Sequence, residues 1–245
     1  MDIVIELERV LRCYAHAEGE IVALDDVTLR VARGEFVAVM GATGSGKTTL
    51  LLCAAGLERP SSGTARLVGR ELRGLSERAL SRLRRDHVGF VFQSYNLLSA
   101  LTVEQNVRLP RRLGAPAGRP LGDLLADVGL SGMEARRVGE LSGGQRQRVA
   151  IARALSTSPQ VVFADEPTGA LDPSTGAQVL GLLRDAVDHG GVTVVMVTHD
   201  PSVAALSDRL VLLQAGRIAA DGATPDVSTI AARLRAVAPT SKAAR

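Results

Sequence analysis

Gly41-Ala42-Thr43-Gly44-Ser45-Gly46-Lys47-Thr48 lies between the apolar run Phe36-Val37-Ala38-Val39-Met40 and a helix-like run that begins at Thr48-Thr49 and continues through Leu50-Leu51-Leu52-Cys53-Ala54-Ala55. The order is strand, glycine loop, helix. Three glycines let the backbone turn and bring bare N–H groups close to anionic oxygens, and the helix N-terminus adds partial positive charge. In this eight-position pattern the loop wraps phosphates, Lys47 reaches the β- and γ-phosphates and Thr48 offers its hydroxyl to Mg²⁺. Lysine occurs only at Lys47 and Lys242, the other long basic side chains being arginine, so the loop keeps a compact point charge where the rest of the chain does not.

A chain of 245 residues with 46% hydrophobic composition can bury a sizeable core. We expect a single domain over 3–238, with a helical subdomain at about 94–158 and a flexible tail at 239–245. The formal charge of +3 is small for this length, so no nucleic-acid partner is expected. Cys13 and Cys53 stand among apolar or small residues and read as buried free thiols, which fits a reducing cytoplasm. The first residues lack the basic start and apolar run of a signal peptide, and no window reaches the roughly 18 apolar residues of a membrane span.

Along the chain, Ile3 to Val10 and Val27 to Val31 predict strands of a small antiparallel region, separated by a polar segment at His16 to Glu20. Tyr14, just after the first of them, offers a flat face to a nucleotide base. Thr64 to Val68 predicts a further strand, and Ser76 caps a helix to Arg85 whose arginines face solvent. Val88 to Phe92 is the next buried strand; Gln93 follows at its carboxyl end, where open parallel sheets place ligand-binding groups, and is a candidate Mg²⁺ or water ligand. From Ser94 to Gly139 helices separated by Pro110, Pro116 and Pro120 form an insertion, including Val103 to Leu109 and Leu121 to Val128.

Leu141-Ser142-Gly143-Gly144-Gln145 then opens a helix from Arg146 to Leu155, with Ser142 as its cap and two glycines that again suit close anion approach. Val161 to Ala164 is an apolar strand ending in Asp165-Glu166. Alternation sends these carboxylates to opposite sides, Asp165 toward Mg²⁺ and Glu166 toward an attacking water. Asp172 lies in the turn before a helix from about Ser174 to Asp188. Val192 to Thr198 delivers His199 at a strand end as other strands deliver Gln93 and Asp165, and a common crevice makes His199 a γ-phosphate contact. Leu210 to Leu213 and Arg217 to Ala220 predict a closing hairpin, and Ile230 to Val237 a terminal helix.

Taken in order, the phosphate loop, Gln93, LSGGQ at Leu141 to Gln145, VVFADE at Val161 to Glu166 and His199 resemble an ATP-binding cassette ATPase over roughly Ile3 to Ala220. FQSYNLL at Phe92 to Leu98, LTVEQNV at Leu101 to Val107 and DEPTGALD at Asp165 to Asp172 resemble the lipoprotein-release and macrolide-export branch, to which cell-division ATPases are related. Amino-acid importer ATPases usually carry serine at the position of Gly169. The stretch Pro110 to Pro120 departs from the branch, which usually has a longer helical linker there.

The resemblance implies an α/β fold: a P-loop core with a mixed, mainly parallel sheet, an N-terminal antiparallel β region and a helical subdomain. It implies ATP and Mg²⁺ as cofactors, adenine stacked on Tyr14, phosphates held by Gly41 to Lys47, and Mg²⁺ held by Thr48, Gln93 and Asp165. Glu166 would be the catalytic base. Ser142, Gly143, Gly144 and Gln145 would act on the nucleotide of a second copy in a head-to-tail dimer, with Asp172 near that interface. One chain has two anion-seeking helix starts but a single Asp165, Glu166 and His199, so two copies in twofold symmetry would complete two sites. The implied partner is a separately encoded integral membrane permease that holds the ATPase on the cytoplasmic face. Alternatives are the ATPase of a binding-protein-dependent importer or a cassette outside transport.

Overall fold

The computed structural model describes residues 2–16 and 19–237. The tail predicted for 239–245 lies outside the described residues, as does the middle of the polar segment at His16 to Glu20. The chain divides into two compact units, one of residues 2–74 with 197–237 and the other of residues 75–196.

The first unit opens with β1 (Ile3–His16) and β2 (Gly19–Ala32), two long strands where shorter ones were predicted. They pair antiparallel from Ile3 opposite Ala32 to His16 opposite Gly19. The alternation that marks a strand breaks at Arg9, which adopts a left-handed φ of 48°, and the register shifts between Leu7 and Val10. Further register shifts follow between Val10 and Cys13, so the period of two is lost beyond Val10 while the strand runs on to His16. Tyr14 is therefore inside β1 rather than after it.

β3 (Phe36–Met40) is completely buried and leads through the glycine loop into α1 (Lys47–Ala54). β4 (Ser62–Leu67) and β5 (Arg70–Glu71) complete a four-stranded antiparallel sheet in the order β2-β1-β4-β5. Cys13 and Cys53 are free thiols, but only Cys53 is buried, and burial pushes its thiol up to about 12, which leaves it protonated and inert.

The second unit begins with α2 (Glu77–His87), capped by Ser76, whose hydroxyl accepts from the Ala79 amide. β6 (Val88–Phe92) follows, then α3 (Val103–Val107), α4 (Leu109–Arg112) and α5 (Leu121–Asp127). The single helix predicted for Val103 to Leu109 stops at Val107, because Pro110 has no N–H and its ring crowds the carbonyl four residues earlier. α6 (Gly143–Leu155) starts three residues before the predicted point. There a reciprocal capping box outweighs the poor helix propensity of two glycines. β7 (Val161–Asp165), α7 (Pro173–Asp188) and β8 (Thr193–Val197) complete this unit, with β7 between β8 and β6. β6 and β7 run parallel, Phe92 opposite Asp165.

Back in the first unit, α8 (Pro201–Ala204), β9 (Arg209–Gln214), β10 (Arg217–Ala223) and α9 (Val227–Val237) close the chain. β9 lies parallel to β3 and antiparallel to β10. The sheet strands are thus mixed and mainly parallel, with a separate antiparallel sheet, as expected for this α/β class.

Three aspartates cap helices: Asp172 for α7, Asp200 for α8 and Asp226 for α9 each accept amide and hydroxyl hydrogen bonds from the next two or three residues. These bonds hold all three carboxyls below the usual carboxylate range. A depressed folded pKa gives stability that is present above the unfolded value of about 3.9 and lost as pH falls through the folded values. Chemical denaturation below pH 4 should therefore show a steep acid loss, and replacing the three aspartates by asparagine should flatten it.

Candidate functional site

The phosphate loop is built by backbone contacts within the first unit. A Cβ on Gly41, where φ is 156°, would lie 2.2 Å from the Leu213 carbonyl oxygen, and one on Gly46, where φ is 100°, would lie 2.2 Å from that of Ala23. Only glycine fits at either point. The turn between β9 and β10 clamps the loop from outside: the Gly216 amide donates to the Ser45 carbonyl at 3.0 Å, and the Asp25 amide donates to the Gly216 carbonyl at 2.9 Å. Ala23, Leu213 and Gly216 act through their backbones, so no side-chain pattern revealed them.

Inside the loop Lys47 donates from Nζ to the carbonyls of Gly41 and Ala42, 2.9 Å each, placing the ammonium across the loop. Ser45 Oγ is buried without a hydrogen-bond partner among the described residues. Gly46 supplies no side-chain cap to α1, and the first turn of α1 holds no acid. A bare helix start, a lysine and an orphaned hydroxyl in a glycine-rich turn suit an anion. Thr43, Gly44 and Thr48 are exposed, and Ala42 and Thr49 half-buried.

Tyr14 belongs to the same unit. Its hydroxyl donates to Glu58 Oε2 at 2.9 Å, and the Arg12 guanidinium, itself 2.8 Å from Glu58, lies 4.4 Å from the ring centroid. Arg12 and Glu58, which sequence reasoning passed over, thus fix the ring by a cation–π contact and a hydrogen bond. Ile21, opposite Tyr14, is two residues from Ala23, which touches the phosphate loop. His199 is exposed one residue beyond Thr198, whose amide donates to the Val39 carbonyl at 3.2 Å, at the end of β3 from which the loop departs.

The second unit holds the other predicted residues. Asp165 ends β7 and Gln93 follows β6, so the paired strands deliver both at one edge. Glu166 sits in a left-handed turn with φ 47°, strained for a side chain of its size, and its carbonyl accepts from the Gly169 amide at 3.1 Å. The amide nitrogen of Gln93 lies over Gly169, 2.9 Å from where a Cβ would project. The larger side chain of a serine at 169 would displace it. Gln147 of α6, a buried residue that no motif singles out, donates from Nε2 to the Pro167 carbonyl at 2.6 Å and pins the turn after Glu166.

Ser142 caps α6: its Oγ accepts from the Gln145 amide at 3.3 Å while Gln145 Oε1 accepts from the Ser142 amide at 3.0 Å. Ser142, Gly143, Gly144 and Gln145 line a cavity of about 370 Å³ together with Asp172 and Thr175. Neither glycine has spare room: a Cβ would lie 3.0 Å from the Tyr95 hydroxyl at Gly143 and 2.4 Å from Thr175 Cγ2 at Gly144. Asp172 serves this cavity as the cap of α7.

Thr48, Gln93 and Asp165 offer a hydroxyl, an amide oxygen and a carboxylate. Each is a hard oxygen donor of the kind that Mg²⁺ takes. Among the described residues no group of three His, Cys, Asp or Glu side chains forms a metal cluster, and no helix is long and apolar enough to cross a membrane.

A glycine loop of this construction and an acid pair ending a buried parallel strand define a P-loop ATPase, and the capped Leu141 to Gln145 segment narrows it to a cassette. The chain belongs to the ABC transporter family, whose model matches residues 24–169. It is 46% identical over 240 residues to the macrolide export ATP-binding/permease protein MacB of Rhodopseudomonas palustris, covering 96% of this chain and 36% of that protein. It is 50% identical over 224 residues to MacB 1/2 of Paracoccus denitrificans, covering 90% and 33%. The chain spans about a third of the length of these curated relatives. Among solved structures, the dimeric cassette MJ0796 in a post-hydrolysis state with ADP and Pi superposes with a TM-score of 0.82 at 37% identity, covering 90% of this chain and 99% of that one. CbiO1 of Clostridium perfringens, part of the transporter complex CbiONQ, gives 0.80 at 28% identity, covering 96% and 93%.

Proposed function

We propose that the chain is one ATP-hydrolysing cassette domain over 3–238, with a helical subdomain at about 94–158, and that it drives a membrane permease for export, lipoprotein release or mechanical signalling to the envelope. The observation that carries this reading is the phosphate loop, closed by contacts that only glycine tolerates, with Lys47 across it and an uncapped helix start.

In this reading Tyr14 stacks adenine, backed by Arg12, and the amides of Gly41 to Thr48 hold the phosphates, with Thr49 continuing the helix start. Lys47 leaves the loop carbonyls for the β- and γ-phosphates. Mg²⁺, held by Thr48, Gln93 and Asp165, would supply charge neutralisation at the phosphates. Glu166 accepts a proton from the attacking water and His199 contacts the γ-phosphate. Ser142, Gly143, Gly144 and Gln145 reach the nucleotide of a second copy in a head-to-tail dimer, a reading supported by the dimeric state of the similar cassette MJ0796, and Asp172 lies beside that contact. The chain would then work at the cytoplasmic face of the membrane, on a separately encoded permease. Affinity capture of the tagged chain from its own membranes should bring down one integral membrane protein and stimulate ATP hydrolysis. Capture without a membrane protein and with unchanged hydrolysis would count against the transport role.

A further inference from the structure

Glu58 follows closely on α1, the helix that starts at the phosphate loop, and its carboxylate reaches Tyr14. The backbone fixes where it stands. Gly56, at a left-handed φ of 65°, ends the helix, and the amides of Leu57 and Glu58 both donate to the Leu52 carbonyl, at 2.9 and 3.1 Å. One oxygen, Glu58 Oε2, then accepts from the Tyr14 hydroxyl at 2.9 Å and from Arg12 Nε at 2.9 Å, and lies 2.8 Å from Arg12 Nη2. Ser61 brackets Arg12 on β1: its amide donates to the Leu11 carbonyl at 2.8 Å, and its hydroxyl accepts from the Cys13 amide at 3.0 Å. The segment from Gly56 to Ser61 thus ties the far end of α1 to the part of β1 that carries the ring.

The tie matters because of what Tyr14 lacks. Beyond Leu11, which pairs with Ser62 of β4, β1 has only β2 beside it among the described residues, and a two-stranded ribbon is marginal on its own. The side chains of Arg12 and Glu58 are each only 26% exposed, so their pair keeps more of its attraction than an open surface pair does. The helix between the two ends is short and stiff: its eight residues span about 12 Å. Its first turn belongs to the phosphate loop, and its last turn holds Tyr14 through Glu58.

We propose that Glu58 and Arg12 are positioning residues that latch the base platform to the C-terminal end of the phosphate-loop helix, and so set the distance between base and phosphates. The proposal rests on the reading of Tyr14 as the adenine platform. Arg12 covers one face of the ring and leaves the other to the base. A ring already held in place loses no freedom when the base docks, so the latch acts on nucleotide affinity and not on the chemistry at the γ-phosphate.

Steady-state ATP hydrolysis by the full chain, with inorganic triphosphate as a competitive inhibitor that carries no base, tests this. Tyr14→Ala should raise KM for ATP on the order of tenfold, the scale of one stacked base, and leave the inhibition constant of triphosphate unchanged. Arg12→Met should raise KM about threefold, the worth of an exposed cation–π contact, and Glu58→Ala by at least as much, with kcat and the triphosphate constant unchanged in both. Glu58→Gln keeps an acceptor for both donors and should fall between Glu58→Ala and the parent. Arg12→Met, on β1, guards against a folding defect at the end of α1. In a Tyr14→Ala background neither Glu58→Ala nor Arg12→Met should raise KM further. Parental KM in both single variants, while Tyr14→Ala raises it, would overturn the latch and leave the adenine platform standing. So would a triphosphate constant that rises in step with KM, which puts the defect in the phosphate loop, or an effect that persists without the ring. A Tyr14→Ala chain with parental KM would instead remove the base reading, and the proposal with it.

Discussion

Glu166→Gln is expected to lower kcat for ATP hydrolysis by at least about 100-fold while leaving ATP affinity nearly unchanged. Glutamine keeps the size and hydrogen-bonding reach of glutamate but cannot accept the proton of the attacking water, so the loss belongs to the transition state rather than to ground-state binding. The backbone makes the comparison clean. Glu166 sits in a left-handed turn at φ 47°, held by the Gly169 amide on its own carbonyl and by Gln147 on the carbonyl of Pro167, and glutamine inherits all three constraints. Equilibrium binding of a fluorescent ATP analogue, paired with single-turnover hydrolysis, separates the two quantities. Retention of full hydrolysis would remove Glu166 from the role of base.

The same turn supplies a weaker test of positioning. Gln147→Leu matches the buried volume but leaves the Pro167 carbonyl without its 2.6 Å donor. An abandoned buried acceptor costs roughly 1–3 kcal/mol, so the melting temperature should fall. If the turn positions Glu166, kcat should fall severalfold with KM little changed, a split that a purely structural role would not produce.

The parts of this molecule that were legible in the sequence are those written in side chains. The phosphate loop, the strand ends carrying Gln93, Asp165 and His199, and the capping box at Ser142 each use residue types whose chemistry dictates their position. The hidden parts are backbone or long-range. Nothing at Ala23, Leu213 or Gly216 marks them as the clamp around the loop, because they act through carbonyls and amides. β1 reads short because its register shifts between Leu7 and Cys13 break the alternation by which strands are recognised. Glu58 holds Tyr14 across more than forty residues of chain, a separation at which no local period operates. Gln147 looks like one more polar residue of a helix, and only its burial against Pro167 gives it a task.

Mixing a Lys47→Ala chain with a Ser142→Asp chain should restore hydrolysis that neither shows alone. Loss of the lysine removes a charged hydrogen-bond donor from the phosphates and should weaken nucleotide binding roughly 10- to 100-fold. Aspartate at 142 is the sharper choice for the other partner. Like serine it is a strong N-cap, so α6 keeps the amide bond that Ser142 now makes to Gln145, while its negative charge repels a phosphate approaching the helix start. A fall in hydrolysis on the order of 100-fold in the Ser142→Asp homodimer would match the loss of a preorganised anion contact. In a twofold dimer whose sites pair the phosphate loop of one copy with the Ser142 segment of the other, each homodimer carries two damaged sites. The heterodimer carries one site with both defects and one with neither. Random mixing makes half of all dimers heterodimers, so about a quarter of parental activity should return if the two sites turn over independently. A site assembled entirely within one chain predicts no recovery at any mixing ratio, because every copy then keeps its own defect. The measured ratio therefore decides whether Leu141 to Gln145 serves the phosphate loop of its own chain or that of its partner.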